Sequence, residues 1–290
     1  MKKEIKTIAV KFFCLIAALM IFTPQSSAEE GVAISKGGTP ISFSEYGKGE
    51  PTLIFVHGWS CNRSFWEKQI SYFEKKYHVV TLDLAGHGSS GRERAVYSME
   101  AFGEDVAAVV RKIGSEKVIL VGHSMGGPVI IEAAEILQGQ VIALIGIDTM
   151  HNLEETHTAQ EIEEIVRPFK EDFKKTTDSF VRNNMFVPGT DSQLVDQIAG
   201  SMANASMPVG VSAFEEMFKR SYITDPMHIK VPVWCLNADL WLTKSEINRK
   251  YVPKFEVRIM PGVGHFLMLE KPDEFNRQLD DIIKEIVASS

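Results

Sequence analysis

Three cysteines in 290 residues are too few for a disulfide-built scaffold. Cys14 lies in an apolar amino-terminal stretch, and neither Cys61 nor Cys235 has a C-x-x-C partner or a histidine-rich neighbourhood, so a zinc site is disfavoured. Both are expected unpaired, because the strands they belong to or adjoin fall several positions apart in a sheet. An excess of basic charge is also missing: 31 Lys and Arg stand against 38 Asp and Glu. With no basic stripe and no interleaving of aromatic with basic residues, nucleic acid and anionic membrane surfaces are excluded as expected partners. No internal repeat or low-complexity segment is evident. The uninterrupted apolar stretch Phe12 to Phe22 falls short of the ~20 residues that span a bilayer.

That stretch has another use. Met1-Lys2-Lys3-Glu4-Ile5-Lys6 is a basic start, Ile8 to Phe22 an apolar core interrupted by Lys11, and Ser26-Ser27-Ala28 a small-residue cleavage site, the pattern of a secretory signal peptide over 1–28. The expected mature protein is secreted or periplasmic, with no stable membrane anchor. Removing four lysines and one glutamate from the totals of 31 and 38 leaves 27 against 37, a net charge of −10. The sequence does not indicate an oligomeric state.

The remaining length suits one substantial domain with an insertion. Val32-Ile34 and Ile41-Phe43-Tyr46, around Gly37-Gly38-Thr39-Pro40, have the period-two pattern of a hairpin. Apolar runs at Thr52–Val56, His78–Leu82, Val118–Val121, Val141–Ile145, Val231–Leu236 and Phe255–Met260 then alternate with amphipathic helical patterns, which predicts an α/β fold with a mostly parallel sheet covered on both faces. Ser98 is a helix N-cap ahead of Phe102, Val106 and Val110, and Pro272 opens a last helix. The alternation lapses between about Thr149 and Lys230, where only helical patterns occur. One begins at a capping box, Thr158 and Glu161, and should kink or end at Pro168. The expected organisation is a core of 29–148 and 231–290 with a helical cap inserted at 149–230.

The chemistry centres on Gly122-His123-Ser124-Met125-Gly126, where an apolar strand breaks into a G-x-S-x-G turn and a helix leaves at once. A serine presented on so sharp a turn needs glycines on either side to let the strand and helix pass. Serine is a poor nucleophile at neutral pH without a base, and the base needs an orienting acid. His265 follows the glycine-rich Pro261-Gly262-Val263-Gly264 beyond a strand's carboxyl end, where α/β sites assemble. His123, beside the serine, should point away from it. Two aspartates follow strand ends in the chain order Ser, acid, His. Asp239 is preferred over Asp148 because its strand directly precedes the one bearing His265, and Asp148 is expected to cap the insertion's mouth. Backbone N–H groups of Met125, directly after the serine, and of Trp59, in the loop His57-Gly58-Trp59, are the expected oxyanion donors.

Phe55-Val56-His57-Gly58-Trp59, Asp83-Leu84-Ala85-Gly86-His87-Gly88-Ser89-Ser90, Gly122–Gly127 and Gly264-His265-Phe266 together closely resemble the α/β-hydrolase superfamily, in its esterase/haloperoxidase-like branch with a helical lid. The resemblance covers nearly all of 32–288 and is weakest in the insertion. It implies an eight-stranded sheet, a triad of Ser124, Asp239 and His265, oxyanion donors Trp59 and Met125, and a cap at about 149–230. Two departures stand out: Leu236-Asn237-Ala238-Asp239 lacks the glycine that often precedes the acid, and the 57–59 loop has one glycine in place of a glycine run. Relatives that act on haloalkanes or epoxides carry aspartate at the elbow, so serine points to acyl chemistry. The expected activity is hydrolysis of a small or medium apolar carboxylic ester through an acyl-enzyme, with neither metal nor organic cofactor. Lactonase, C–C bond hydrolase and perhydrolase activities fit the same triad. A receptor that keeps the hydrolase pocket without turnover is the alternative from another class.

Overall fold

The strands that are apolar throughout occupy the middle of the sheet, and those with mixed patterns take its edges. The computed structural model describes residues 28–224 and 228–289, so the expected signal peptide, apart from Ala28, lies outside the described residues. β1 (Glu29–Ile34) and β2 (Pro40–Tyr46) form the expected hairpin, and β3 (Thr52–Val56), β4 (His78–Leu82), β5 (Val118–His123), β6 (Val141–Ile147), β7 (Val233–Ala238) and β8 (Phe255–Met260) complete one eight-stranded sheet. Its order is β1-β2-β4-β3-β5-β6-β7-β8. β1, β2 and β4 pair antiparallel, and every pairing from β4 across to β8 is parallel. β3 and β5 are buried along their whole length, whereas β8, at the edge, exposes Glu256 and Ile259.

β3 has β4 on one flank and β5 on the other, so strand order reverses there. In open parallel sheets a crevice forms beyond the carboxyl ends of the strands at such a reversal. The helices α1 (Glu67–Phe73), α2 (Met99–Ile113) and α3 (Gly126–Ile136) connect this half. Ser98 caps α2 by accepting from the Ala101 N–H, and Gly114, at φ 70°, ends it in the left-handed conformation. Gly103 lets α2 lie against α3: a Cβ there would be 2.6 Å from that of Glu132.

Between β6 and β7 the described residues form four helices and no strand: α4 (Ala159–Glu171), α5 (Phe173–Asn184), α6 (Ser192–Ala203) and α7 (Met207–Lys219). The capping box at Thr158 and Glu161 forms. Pro168 does not end α4, which continues to Glu171; the break falls at Asp172 (φ −148°), whose carboxylate caps α5 through the Lys175 N–H. α8 (Ser245–Tyr251), α9 (Leu267–Glu270) and α10 (Pro272–Ser289) follow. α10 buries Phe275, Leu279, Ile282, Ile283 and Ile286. Cys61 and Cys235 are free and buried, with β5 and β6 between their strands. Among the described residues no helix is long and apolar enough to cross a membrane.

The Asp83–Ser90 motif is structural. Asp83 accepts from the N–H groups of Arg63 (2.8 Å) and Ser89 (2.9 Å), folding two loops at the carboxyl edge onto one buried carboxylate. His87 completes the turn by bonding its Nδ1–H to the Ala85 carbonyl, 3.0 Å away.

Candidate active site

β5 ends at His123 and α3 starts at Gly126, which leaves Ser124 at φ 53°, a left-handed conformation costly for a residue with a Cβ. Surrounding bonds hold it there. The Ser124 N–H donates to the Ile147 carbonyl (3.0 Å), and its carbonyl accepts from the Gly127 N–H (2.8 Å) and the Thr149 hydroxyl (2.8 Å). A Cβ on Gly126 would stand 2.7 Å from the Val56 carbonyl oxygen, and one on Gly122 would collide with the Gly126 carbonyl. The glycines therefore do what the sequence pattern suggested: they admit the backbone crossings that present the serine.

His265 is fixed on three sides. Its N–H donates to the Met185 carbonyl, beyond α5, at 2.8 Å; its carbonyl accepts from His123 Nε2 at 2.9 Å; and its Nδ1 lies 2.6 Å from Asp148 Oδ2. Glu270 secures the loop by accepting from the N–H groups of Gly264 and Phe266. His123 does turn from the serine, to hold the His265 backbone. Burial drops its pKa to about 3, with His265 adding to the effect, so it is a neutral donor. His57 and His87, also buried, fall to about 4 and about 3 for the same leading reason.

The acid beside His265 is Asp148, which corrects the expectation of Asp239. Asp148 follows the last residue of β6, at φ 45°, with its side chain fully buried. Its Oδ1 accepts from the Ala238 N–H at 2.9 Å and lies 3.7 Å from His151 Nε2. Burial alone would raise its pKa, but the hydrogen bond and charge of His265, with His151 behind, hold it below the usual value. Asp239 is exposed and accepts from the Gly262 N–H at 3.0 Å, latching the loop that leads to His265. Proximity in sequence suggested β7, but spatial order decides: β6 lies next to β5, so its end adjoins the elbow. The missing glycine before Asp239 was the available signal.

The Gly58-Trp59 loop lies directly on the elbow, since a Cβ on Gly58 would be 3.2 Å from that of Ser124. Among the described residues neither the Trp59 nor the Met125 backbone N–H has a protein acceptor. The Trp59 indole, in contrast, donates to the Gly210 carbonyl of α7 at 2.7 Å and packs against Phe214, ring centroids 4.6 Å apart, and Phe169, 5.5 Å apart. It thereby ties helices α4 and α7 to the Gly58-Trp59 loop.

Ser124, His265, Asp148 and Trp59 line one cavity of about 750 Å³, within the range that holds small organic ligands. Phe180, Phe214, Met185 and Met202 give it an apolar wall, and sequence patterning placed several of these residues in the insertion without showing that they face the serine. A larger groove of about 960 Å³ lies at the opposite, amino ends of β3, β4 and β5. It is lined by residues such as Glu45, Lys48 and Lys117; its His78 lies against Glu45 at 2.9 Å and its Ser115 bonds the Thr52 hydroxyl at 2.8 Å, whereas the strained Ser124 on its strand-to-helix turn lies in the smaller cavity, which is the candidate site. Among the described residues, no group of three or more His, Cys, Asp and Glu is placed to hold a metal ion.

Comparison with known proteins agrees with this architecture. A family model described as "Alpha/beta hydrolase family" matches residues 53–278. The chain is 21% identical to epoxide hydrolase 3 of Mus musculus, over 88% of this chain and 76% of that protein. It is 22% identical to 3-oxoadipate enol-lactonase 2 of Acinetobacter baylyi, over 84% of this chain and 93% of that protein. A thermophilic esterase from Thermogutta terrifontis superposes with a TM-score of 0.78 at 19% identity, covering 89% of this chain and 99% of that one, a likeness of fold.

Proposed function

The chain belongs to the alpha/beta hydrolase family, and on that premise we propose that it is an exported serine hydrolase that cleaves a small or medium, mainly apolar carboxylic ester. The observation that carries this is the 2.6 Å contact between His265 Nδ1 and the buried Asp148 carboxylate, in the cavity that contains the strained Ser124. With Nδ1–H held by Asp148, the imidazole has Nε2 as its free base. Ser124 Oγ attacks the carbonyl carbon as its proton passes to His265, and the oxyanion collects on the Trp59 and Met125 N–H groups. The tetrahedral adduct collapses, His265 returns the proton to the departing alcohol, and a water activated by the same imidazole releases the acid. Helices α4–α7 act as the cap, and their aromatic and methionine side chains favour an apolar acyl or alkyl group.

The test is turnover of p-nitrophenyl acetate and butyrate by residues 29–290 and by its Ser124→Ala variant. Wild-type activity with at least a thousandfold loss in the variant is expected. If both are equally inert toward a broad ester panel while a small molecule still binds, the receptor alternative replaces this proposal. Lactone hydrolysis is the second reading, favoured by the full-length similarity to a protein named an enol-lactonase. Adding lactones to the panel decides it. Export rests on the basic-apolar-small pattern of 1–28; a mature protein still beginning at Met1 in the cytoplasmic fraction would sink that part.

A further inference from the structure

In the adduct that Ser124 forms with an ester, the reacting carbon carries four groups, and only the departing oxygen has to reach the free nitrogen of His265 to receive its proton. The alcohol portion of the substrate therefore lies beside the His265 ring. Trp241 is already there: its indole stands edge-on to His265, ring centroids 5.2 Å apart at 70°, and to His151, 5.7 Å apart at 74°. It belongs to the turn between β7 and α8 and lines the cavity that contains Ser124. With 39% of its surface exposed it can still be covered, and its neighbour Leu242, on the same cavity, is 80% exposed.

The apolar surfaces of this cavity thus differ in kind. Phe214 is 4% exposed and packs on the Trp59 indole, so the side formed with the Gly58-Trp59 loop is enclosed. Trp241 and Leu242 line the cavity where it meets solvent, and bare apolar surface there is stabilised when an apolar group covers it. The polar lining is largely committed elsewhere. The Thr149 hydroxyl donates to the Ser124 carbonyl at 2.8 Å, His151 Nδ1 lies 3.1 Å from the Thr243 hydroxyl, and Arg220 bonds Glu132 at 2.7 Å. Asn152 accepts from the Glu154 N–H at 3.2 Å, and His157 lies 3.6 Å from Glu155. Glu155 and Lys244 are exposed and opposite in sign, so together they select no charge.

We propose that Trp241, with Leu242, is the specificity-determining surface for the departing alcohol, and that it selects a bulky apolar alcohol group, aromatic or alicyclic, over a small one. This rests on the hydrolase proposed above and adds to it the class of leaving group.

Two ester series test it. One holds butyrate and varies the alcohol through methyl, cyclohexylmethyl and benzyl, simple primary alcohols of similar leaving ability; the other holds the methyl alcohol and varies the acyl chain from acetate to hexanoate. Wild-type enzyme should show a kcat/KM for benzyl or cyclohexylmethyl butyrate about tenfold above that for methyl butyrate, and Trp241→Ala should bring that ratio to within about twofold while the acyl profile keeps its shape. Leu242→Ser, at a position too exposed to hold the core together, should cut the same ratio about threefold. A ratio unchanged in either variant, or no preference for the bulky alcohols in the wild type, overturns the assignment. So does a loss in Trp241→Ala that is equal for every ester, since the indole would then only prop His265. Wild-type turnover without alcohol preference removes this inference alone; inertness toward every ester and lactone removes the hydrolase proposal with it.

Discussion

Replacing Asp148 by asparagine changes one oxygen to an NH2 group and nearly nothing in volume, so its effect isolates the orienting acid. The carboxylate has two engagements: Oδ1 accepts from the Ala238 N–H at 2.9 Å, and Oδ2 faces His265 Nδ1 at 2.6 Å. An asparagine can satisfy only one of them. If its amide oxygen takes the Ala238 N–H, its NH2 faces His265 Nδ1, which must become an acceptor. The ring proton then moves to Nε2, the nitrogen that has to receive the proton of Ser124, and the base is lost. If the amide flips, its NH2 opposes the Ala238 N–H inside a buried site and leaves a donor unpaired. Either arrangement removes the charge that stabilises the imidazolium. The expected fall in kcat is roughly 10³–10⁴, about 4–5.5 kcal/mol in barrier, as when the equivalent acid is amidated in serine proteases. Asp239→Asn keeps an oxygen for the Gly262 N–H and should stay within about twofold. Both variants are assayed for kcat with p-nitrophenyl butyrate at fixed pH, with circular dichroism confirming the fold. A loss at position 239 that equals or exceeds the loss at 148 would refute the assignment of the acid.

Two further outcomes follow from the same geometry. Gly58→Ala puts a Cβ 3.2 Å from the Ser124 Cβ and 2.9 Å from His123 Nδ1, so the Trp59 N–H must retreat; a fall in kcat of about 10²-fold with little change in melting temperature is expected, and full activity would show that this loop supplies no oxyanion donor. His57, His87 and His123, lowered to about 4, 3 and 3, stay neutral in the fold but charge in the unfolded chain below its value of 6.5. The unfolded state therefore binds the extra protons, and the stability these groups allow is complete above pH 6.5 and lost as pH falls from there toward 4, by up to about 1.4 kcal/mol per pH unit for each histidine. Urea melts between pH 7 and 5 should show this slope, and His87→Asn, which retains a donor for the Ala85 carbonyl, should lessen it; an identical slope in the variant would count against a neutral buried His87.

Much of this protein could be read from local pattern. The runs at Thr52–Val56 and Val118–Val121 declared buried parallel strands because both faces of a parallel sheet are covered. Ser98, Thr158 and Glu161 declared helix starts because capping is a contact over three residues. Ser124 announced itself through flanking glycines, and His265 through a glycine-rich loop after a strand. What local pattern could not decide was adjacency. Asp148 and Asp239 both follow strand ends, and only the order β5-β6-β7-β8 brings the end of β6 against the elbow while the Asp239 carboxylate, at the end of β7, is turned to solvent and to Gly262. The same holds for Met185 supporting His265 from beyond α5 and for Trp59 donating to Gly210. Capping, periodicity and turn geometry act within a few residues along the chain, so the sequence alone determined the elements and singled out the candidate nucleophile and base. Which aspartate meets His265, and how helices α4 and α7 grip the Trp59 indole, depend on residues tens of positions apart, and packing in three dimensions decided them.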